Sequence, residues 1–119
     1  MDKTKTFEAL KTVLAPYKDK LLVVSDNDQA FSINTKPDEK KEKGEFFAAI
    51  QINKNYVSFH LMPVYYYPEL LKNISVNLRK RMQGKSCFNF SEPDSAMLKE
   101  LSSLTKSSFQ KYESVKKIR

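Results

Sequence analysis

The 119-residue sequence holds one cysteine, one histidine, two glycines and three arginines, and each scarcity closes off a class of function. A single cysteine cannot form an intramolecular disulfide, which points to a reducing, cytoplasmic setting. One cysteine and one histidine cannot supply the three or four ligands of a structural zinc site. With two glycines there is no GxxxxGK[ST] or GxGxxG phosphate loop. The MQGKS stretch (82–86) shares only its last three residues with the first of these and lacks a preceding strand. Arg79, Arg81 and Arg119 form no arginine-rich block, and no known nucleic-acid motif occurs, which argues against nucleic acid as the partner. No apolar run approaches the roughly 18–20 residues that span a bilayer. The opening MDKTKTFEALKTVL has no uninterrupted apolar region of the kind a secretory signal needs.

What is present fits one domain over residues 1–119: 40% hydrophobic and 29% charged residues, enough to bury a core without disulfide or metal. The net charge of +7 is uneven. Residues 1–43 carry nine basic and eight acidic side chains, whereas residues 44–119 carry twelve and six. A basic half can face an anionic ligand or an acidic partner; solvated lysines on helix faces are the plainer explanation.

Periodicity sets out the elements. Phe7, Leu10, Leu14 and Tyr17 recur at helical spacing, predicting a helix over 6–15 that Pro16 ends. LLVV (21–24) and QAFSIN (29–34) flank an Asx-rich turn and read as a hairpin. KPDEKKEKG (36–44) is a mixed-charge loop expected to be mobile. EFFAAIQIN (45–53) and YVSFHLM (56–62) alternate with period two, giving a second hairpin. In the first, Phe46, Ala48, Ile50 and Ile52 face one way, and Phe47, Ala49, Gln51 and Asn53 the other. In the second, Val57, Phe59 and Leu61 oppose Tyr56, Ser58, His60 and Met62. Pro63 ends that strand, or makes it an edge, and Pro68 opens a helix that Ser75 restarts as SVNLRKRMQ, with Gly84 as C-cap. SCFNF (86–90) is a strand; Asp94 caps a last helix bearing Leu98, Leu101, Thr105, Phe109 and Tyr112; residues 113–119 are expected to fray. The fold class is α+β: a single curved antiparallel sheet of about five strands, with N-terminal, central (broken) and C-terminal helices packed on one face.

The helices should cover the apolar side of the sheet. The other side carries almost no charge, which is unusual for a solvated sheet face. It is the candidate surface for a ligand, a partner or a second copy, through Phe47, Gln51, Tyr56, Ser58, His60, Met62 and Asn89, unless the VYYYP stretch (64–68) folds over it. Arg79, Lys80, Arg81 and Lys85 crowd a helix end and the turn after it, a candidate anion contact that the helix dipole alone would also explain. His60, alone between Phe59 and Leu61, reads as a hydrogen-bonded structural residue. Cys87 near lysines could be activated, or paired with His60, but no motif supports a thiol catalyst.

GEFFAAIQINKNYVSFHLMPVYYYPELL, ISVNLRKRMQGKSCFNF and DSAMLKELSSLTKSSFQKY together resemble the YdhG-like family of small bacterial domains of unknown function, over about residues 44–112. The resemblance implies a frataxin-like or TBP-like α+β domain, and one branch of the family has been proposed as an iron chaperone for iron–sulfur assembly. The carboxylates that such a role requires are here interleaved with lysine, and no dense acidic ridge exists. The expectation is therefore a non-enzymatic binding or adaptor domain without cofactor, metal or catalytic residue. Its partner is a protein, a small anionic ligand or a second copy. Iron-chaperone activity is the alternative and nucleic-acid binding a weaker one.

Overall fold

Local hydrogen-bond chemistry starts each helix where a capping residue stands. In the computed structural model, which describes residues 2–42, 44–115 and 117–118, Asp2 opens α1 (Lys3–Leu14) by accepting from the Lys5 amide at 3.0 Å. Ser75 does the same for α3 (Val76–Arg79), and Asp94 for α4 (Ser95–Ser114). Pro63 stands in the first turn of the short α2 (Pro63–Tyr66), where its missing N–H costs nothing. It therefore starts a helix as well as ending a strand. Pro68 opens only a 3-10 turn over Pro68–Leu71.

Six strands form one antiparallel sheet: β1 (Leu22–Asp26), β2 (Ala30–Asn34), β3 (Phe46–Ile52), β4 (Val57–Leu61), β5 (Met82–Gln83) and β6 (Cys87–Phe90). Their order is β1-β2-β3-β4-β6-β5. The β1–β2 turn closes through Asn27, whose side-chain oxygen accepts from the Gln29 and Ala30 amides. Between β2 and β3, Asp38 accepts from Lys40 and Lys41, and Thr35 and Glu45 exchange hydrogen bonds that pin the loop's two ends. Gly44 is required there: its φ is +72°, and a Cβ would lie 1.9 Å from the Thr35 carbonyl oxygen. Lys43, inside the expected mobile loop, lies outside the described residues.

One sheet face is apolar and dry. Phe31, Ile33, Ala48, Ile50, Val57, Phe59, Leu61, Phe88 and Phe90 are all buried there. The helices cover this face: α1 packs on β3 and β4, and α4 packs on α1, α2 and α3. Each buried phenylalanine contributes roughly 1.5–3 kcal/mol relative to an exposed one, which makes this layer the main stabilising term.

Four features differ from what periodicity predicts. A bulge in β3 reverses the facing of its two phenylalanines. Ile33 pairs with Ala48 but Asn34 with Phe46, so Phe47 is the extra residue. Phe47 turns into the core, while Phe46 passes to the outer face, where its ring meets His60 edge-on at 5.3 Å. Phe47 is thus a core residue and not part of a recognition surface. A second bulge, between Val23 and Ser25, leaves Val24 exposed on β1.

The helix restarted at Ser75 stops at Arg79. Met82 and Gln83 instead pair with Phe88 and Cys87 as a sixth strand, and Gly84 (φ +78°) makes the hairpin turn rather than a helix C-cap. Val76 is exposed and only Leu78 is buried in this four-residue helix, so little apolar burial supports it, and a continuation would have Met82 alone to add to that face. As a strand, Met82 packs against the core.

The segment after α4 packs rather than frays. The Lys117 amide donates to the Tyr112 carbonyl at 2.8 Å, and Ile118 is buried. Lys116 and Arg119, also expected to fray, lie outside the described residues. The tyrosine run joins the helical layer: Val64 is buried and the Tyr67 ring meets Tyr112 of α4, so this stretch does not fold over the outer sheet face. Among the described residues, no helix is long and apolar enough to cross a membrane.

The bulge sets opposite outcomes for adjacent phenylalanines. Phe47→Ala should destabilise the protein by about 3–5 kcal/mol and Phe46→Ala by about 1 kcal/mol, measured by urea unfolding. Equal losses, or the reverse order, would place the bulge elsewhere.

Candidate binding face

The residues that face away from the helices follow from the ladder pairings. On β1 and β2 they are Leu22, Ser25, Ala30, Ser32 and Asn34. On β3 and β4 they are Phe46, Ala49, Gln51, Ser58 and His60. Gln83, Cys87 and Asn89 continue the face onto β5 and β6. No charged side chain stands among them. The face runs across the full sheet, and no described element lies over it.

Its polar groups are tied to one another. The Ser86 hydroxyl and His60 Nε2 lie 2.6 Å apart. Burial lowers the His60 pKa below its ordinary value, so the ring is neutral at neutral pH and one of the two partners donates. The Asn89 amide nitrogen donates to Gln83 Oε1, and the Cys87 thiol points to Asn89 Oδ1 at 3.6 Å. Ser58 donates weakly to the Gln51 carbonyl at 3.4 Å. These contacts restrict rotamers across the face, which lowers the entropy lost when something docks on it.

The structure brings most of the expected residues together. Gln51, Ser58, His60 and Asn89 share the outer face through direct strand pairing. Tyr56 precedes β4 at one end, half-buried. Met62 lies past the ladder as the cap of α2, with its amide bonded to the Phe47 carbonyl. The expectation missed Phe46, Gln83 and Ser86. Strand alternation carries no mark of a bulge, and the Ser86 contact spans 26 residues.

The basic group is less concerted than its sequence spacing suggests. Arg79 donates to the Leu71 carbonyl at 2.7 Å, clipping the 3-10 turn to α3. Lys80 and Arg81 are exposed just before β5, and Lys85, on the β5–β6 turn, lies 5.7 Å from the Tyr65 ring centre. Three cations therefore rim one end of the sheet, without a carboxylate partner among the described residues, while Arg79 serves the helical layer.

Catalytic readings find little support. Cys87 is the ladder partner of His60, but His60 Nε2 meets Ser86, and burial pushes the Cys87 thiol up, away from thiolate. Ser86 is itself buried, with its hydroxyl on His60 Nε2. Among the described residues no group of three His, Cys, Asp or Glu side chains is placed to hold a metal ion. The residues lining the surface grooves belong elsewhere: one groove of about 520 Å³ runs beside α1 between Lys5, Ala9, Glu92 and Leu98.

No protein-family model, curated protein or solved structure matches the chain.

The lowered His60 pKa makes stability pH-dependent in a known direction. An unfolded histidine takes its proton near pH 6.5, whereas the native ring resists it. The contribution is complete above about pH 6.5 and is lost as pH falls through the folded value. The urea midpoint should drop between pH 7.5 and 5.5, and His60→Gln should flatten that slope, since no other histidine titrates there. An unchanged slope in the variant would remove His60 from the account.

Proposed function

We propose that the protein is a non-enzymatic binding module that docks a partner protein across the outer sheet face. The observation that carries this reading is a six-stranded face without a charged side chain, in a chain where 29% of residues are charged and the net charge is +7. Solvated sheet faces carry Lys, Glu and Thr. Asn, Gln and Ser beside Phe46 and His60 instead give a surface that is cheap to desolvate and still able to hydrogen-bond.

The surface grooves are lined by residues outside this face, which favours a macromolecule over a small ligand, because a small ligand needs a concave site to lose most of its surface to the protein. Lys80, Arg81 and Lys85 at one end favour a partner whose neutral contact patch is bordered by acidic groups. The iron-chaperone role implied by the family resemblance needs several oxygen ligands held together. Asp26, Glu45 and Glu69 are instead each paired with a lysine, so the neutral face has the better support.

The test compares quantitative affinity capture and sedimentation velocity for the wild type, a Gln51→Lys/Ser58→Lys variant and a Lys106→Glu control on α4. The reading predicts a co-purifying protein retained by the control and lost, at least tenfold, by the face variant, with equal thermal stability in all three. Identical capture by all three would overturn it. A nuclease-sensitive species, or a dimer that the face variant dissociates, would replace the partner with nucleic acid or a second copy.

A further inference from the structure

Three tyrosines and one glutamate converge on a single ammonium group on the helical side of the molecule. Lys117 Nζ lies 4.5 Å from the ring centre of Tyr66, 5.1 Å from Tyr112 and 5.9 Å from Tyr67. Glu45 Oε2 is 3.3 Å away. The rings come from α2, its C-cap and α4, and the carboxylate from the approach to β3, so the arrangement is held by the fold. We propose that Tyr66, Tyr67, Tyr112 and Glu45 form a binding site for alkylammonium groups, and that Lys117 occupies it in cis.

Ring faces carry negative potential, and several rings around one cation, with a carboxylate, recognise ammonium and methylated ammonium. Two details favour a ligand site over a simple surface ion pair. Glu45 Oε2 is shielded from solvent, and its contact with Lys117 lacks the alignment of a hydrogen bond. The ammonium is therefore seated by charge and ring faces and not by a directed N–H. A quaternary or methylated nitrogen, which has fewer N–H groups or none, meets the same requirements. The site is also reachable, because Tyr66 is 54% exposed while Tyr112 forms a buried floor.

The occupant sits on a short strap. Lys117 comes three residues after the end of α4 at Ser114, with its amide on the Tyr112 carbonyl, and Ile118 next to it is buried. Such a tether gives an effective concentration on the order of millimolar or higher. Free ligand of millimolar affinity then competes poorly until the strap lifts. Lys111, 5.0 Å from the Tyr67 ring centre and paired with Glu69, closes one side. Lys41 takes the other oxygen of Glu45 at 3.8 Å. The ligand class is a methylated or quaternary alkylammonium, as on a methylated lysine side chain or a choline-type head group.

The probe is tetramethylammonium chloride, titrated at constant ionic strength and followed by the tyrosine ring signals in NMR. Lys117→Ala should give saturable shifts at Tyr66, Tyr67 and Tyr112, with binding at least tenfold tighter than in the wild type. Adding Glu45→Gln should weaken it at least tenfold. Ile118→Ser, which loosens the strap without touching the site, should fall between wild type and Lys117→Ala. Should Lys117→Ala lose the fold, Lys117→Gln keeps the aliphatic stem and carries the same prediction. A Lys117 variant that binds no tighter than wild type, or binding indifferent to Glu45→Gln, overturns the proposal.

Discussion

Phe47 joins the two layers of the molecule. Its ring lies 6.2 Å from Tyr17, 6.1 Å from Phe109 and 5.8 Å from Tyr112, linking β3 to the end of the first helical segment and to α4. It reaches that position only because β3 carries one residue more than β2 opposes. Without the bulge, strict alternation would put Phe46 in the core and leave Phe47 facing solvent. The bulge instead lets Phe47 and Ala48 bury together, and sends Phe46 to stand beside His60. One local irregularity thus shapes both faces of the sheet. It also places Tyr112 beneath Phe47, in reach of the Phe46 carbonyl and of the Lys117 ammonium.

The parts of the structure visible in the sequence are those governed by short-range periodicity. Val57, Ser58, Phe59 and His60 alternate cleanly, and their facing holds in the structure. Asp94 and Ser75 cap the helices they precede, because capping involves only the next three residues. Features that depend on distant partners left no such trace. The bulge is decided by β2 and the helices behind Phe47. The strand at Met82–Gln83 falls within what reads as a helical stretch, and its pairing with β6, across a turn that Gly84 makes at positive φ, settles it. The cage around Lys117 gathers residues 45, 66, 67, 112 and 117, which no window of ordinary length contains together.

The excess of positive charge has a partial internal explanation. Lys11 and Lys18 lie over Phe31, Lys20 over Phe109, and Lys111 and Lys117 over the tyrosines. Long aliphatic stems cover the flanks of the aromatic core while the ammonium groups remain near water. Lysine suits that task, and these five are committed to the helical side. The cations left near the outer face are the few around β5. The surface logic is therefore a neutral sheet face bordered at one end by positive charge, opposite a helical layer in which five lysines are engaged with rings.

The central claim is that the sheet has one sealed face and one open face, with the change of side set at Phe47. Adjacent alanines report on it directly: Ala48 is fully buried against the helices and Ala49 stands opposite, beside His60. A soluble paramagnetic gadolinium chelate, added to methyl-labelled protein, should broaden the Ala49 and Ala30 methyl signals strongly and leave Ala48 sharp. Equal protection of Ala48 and Ala49 would mean that the outer face is covered, and would contradict the account.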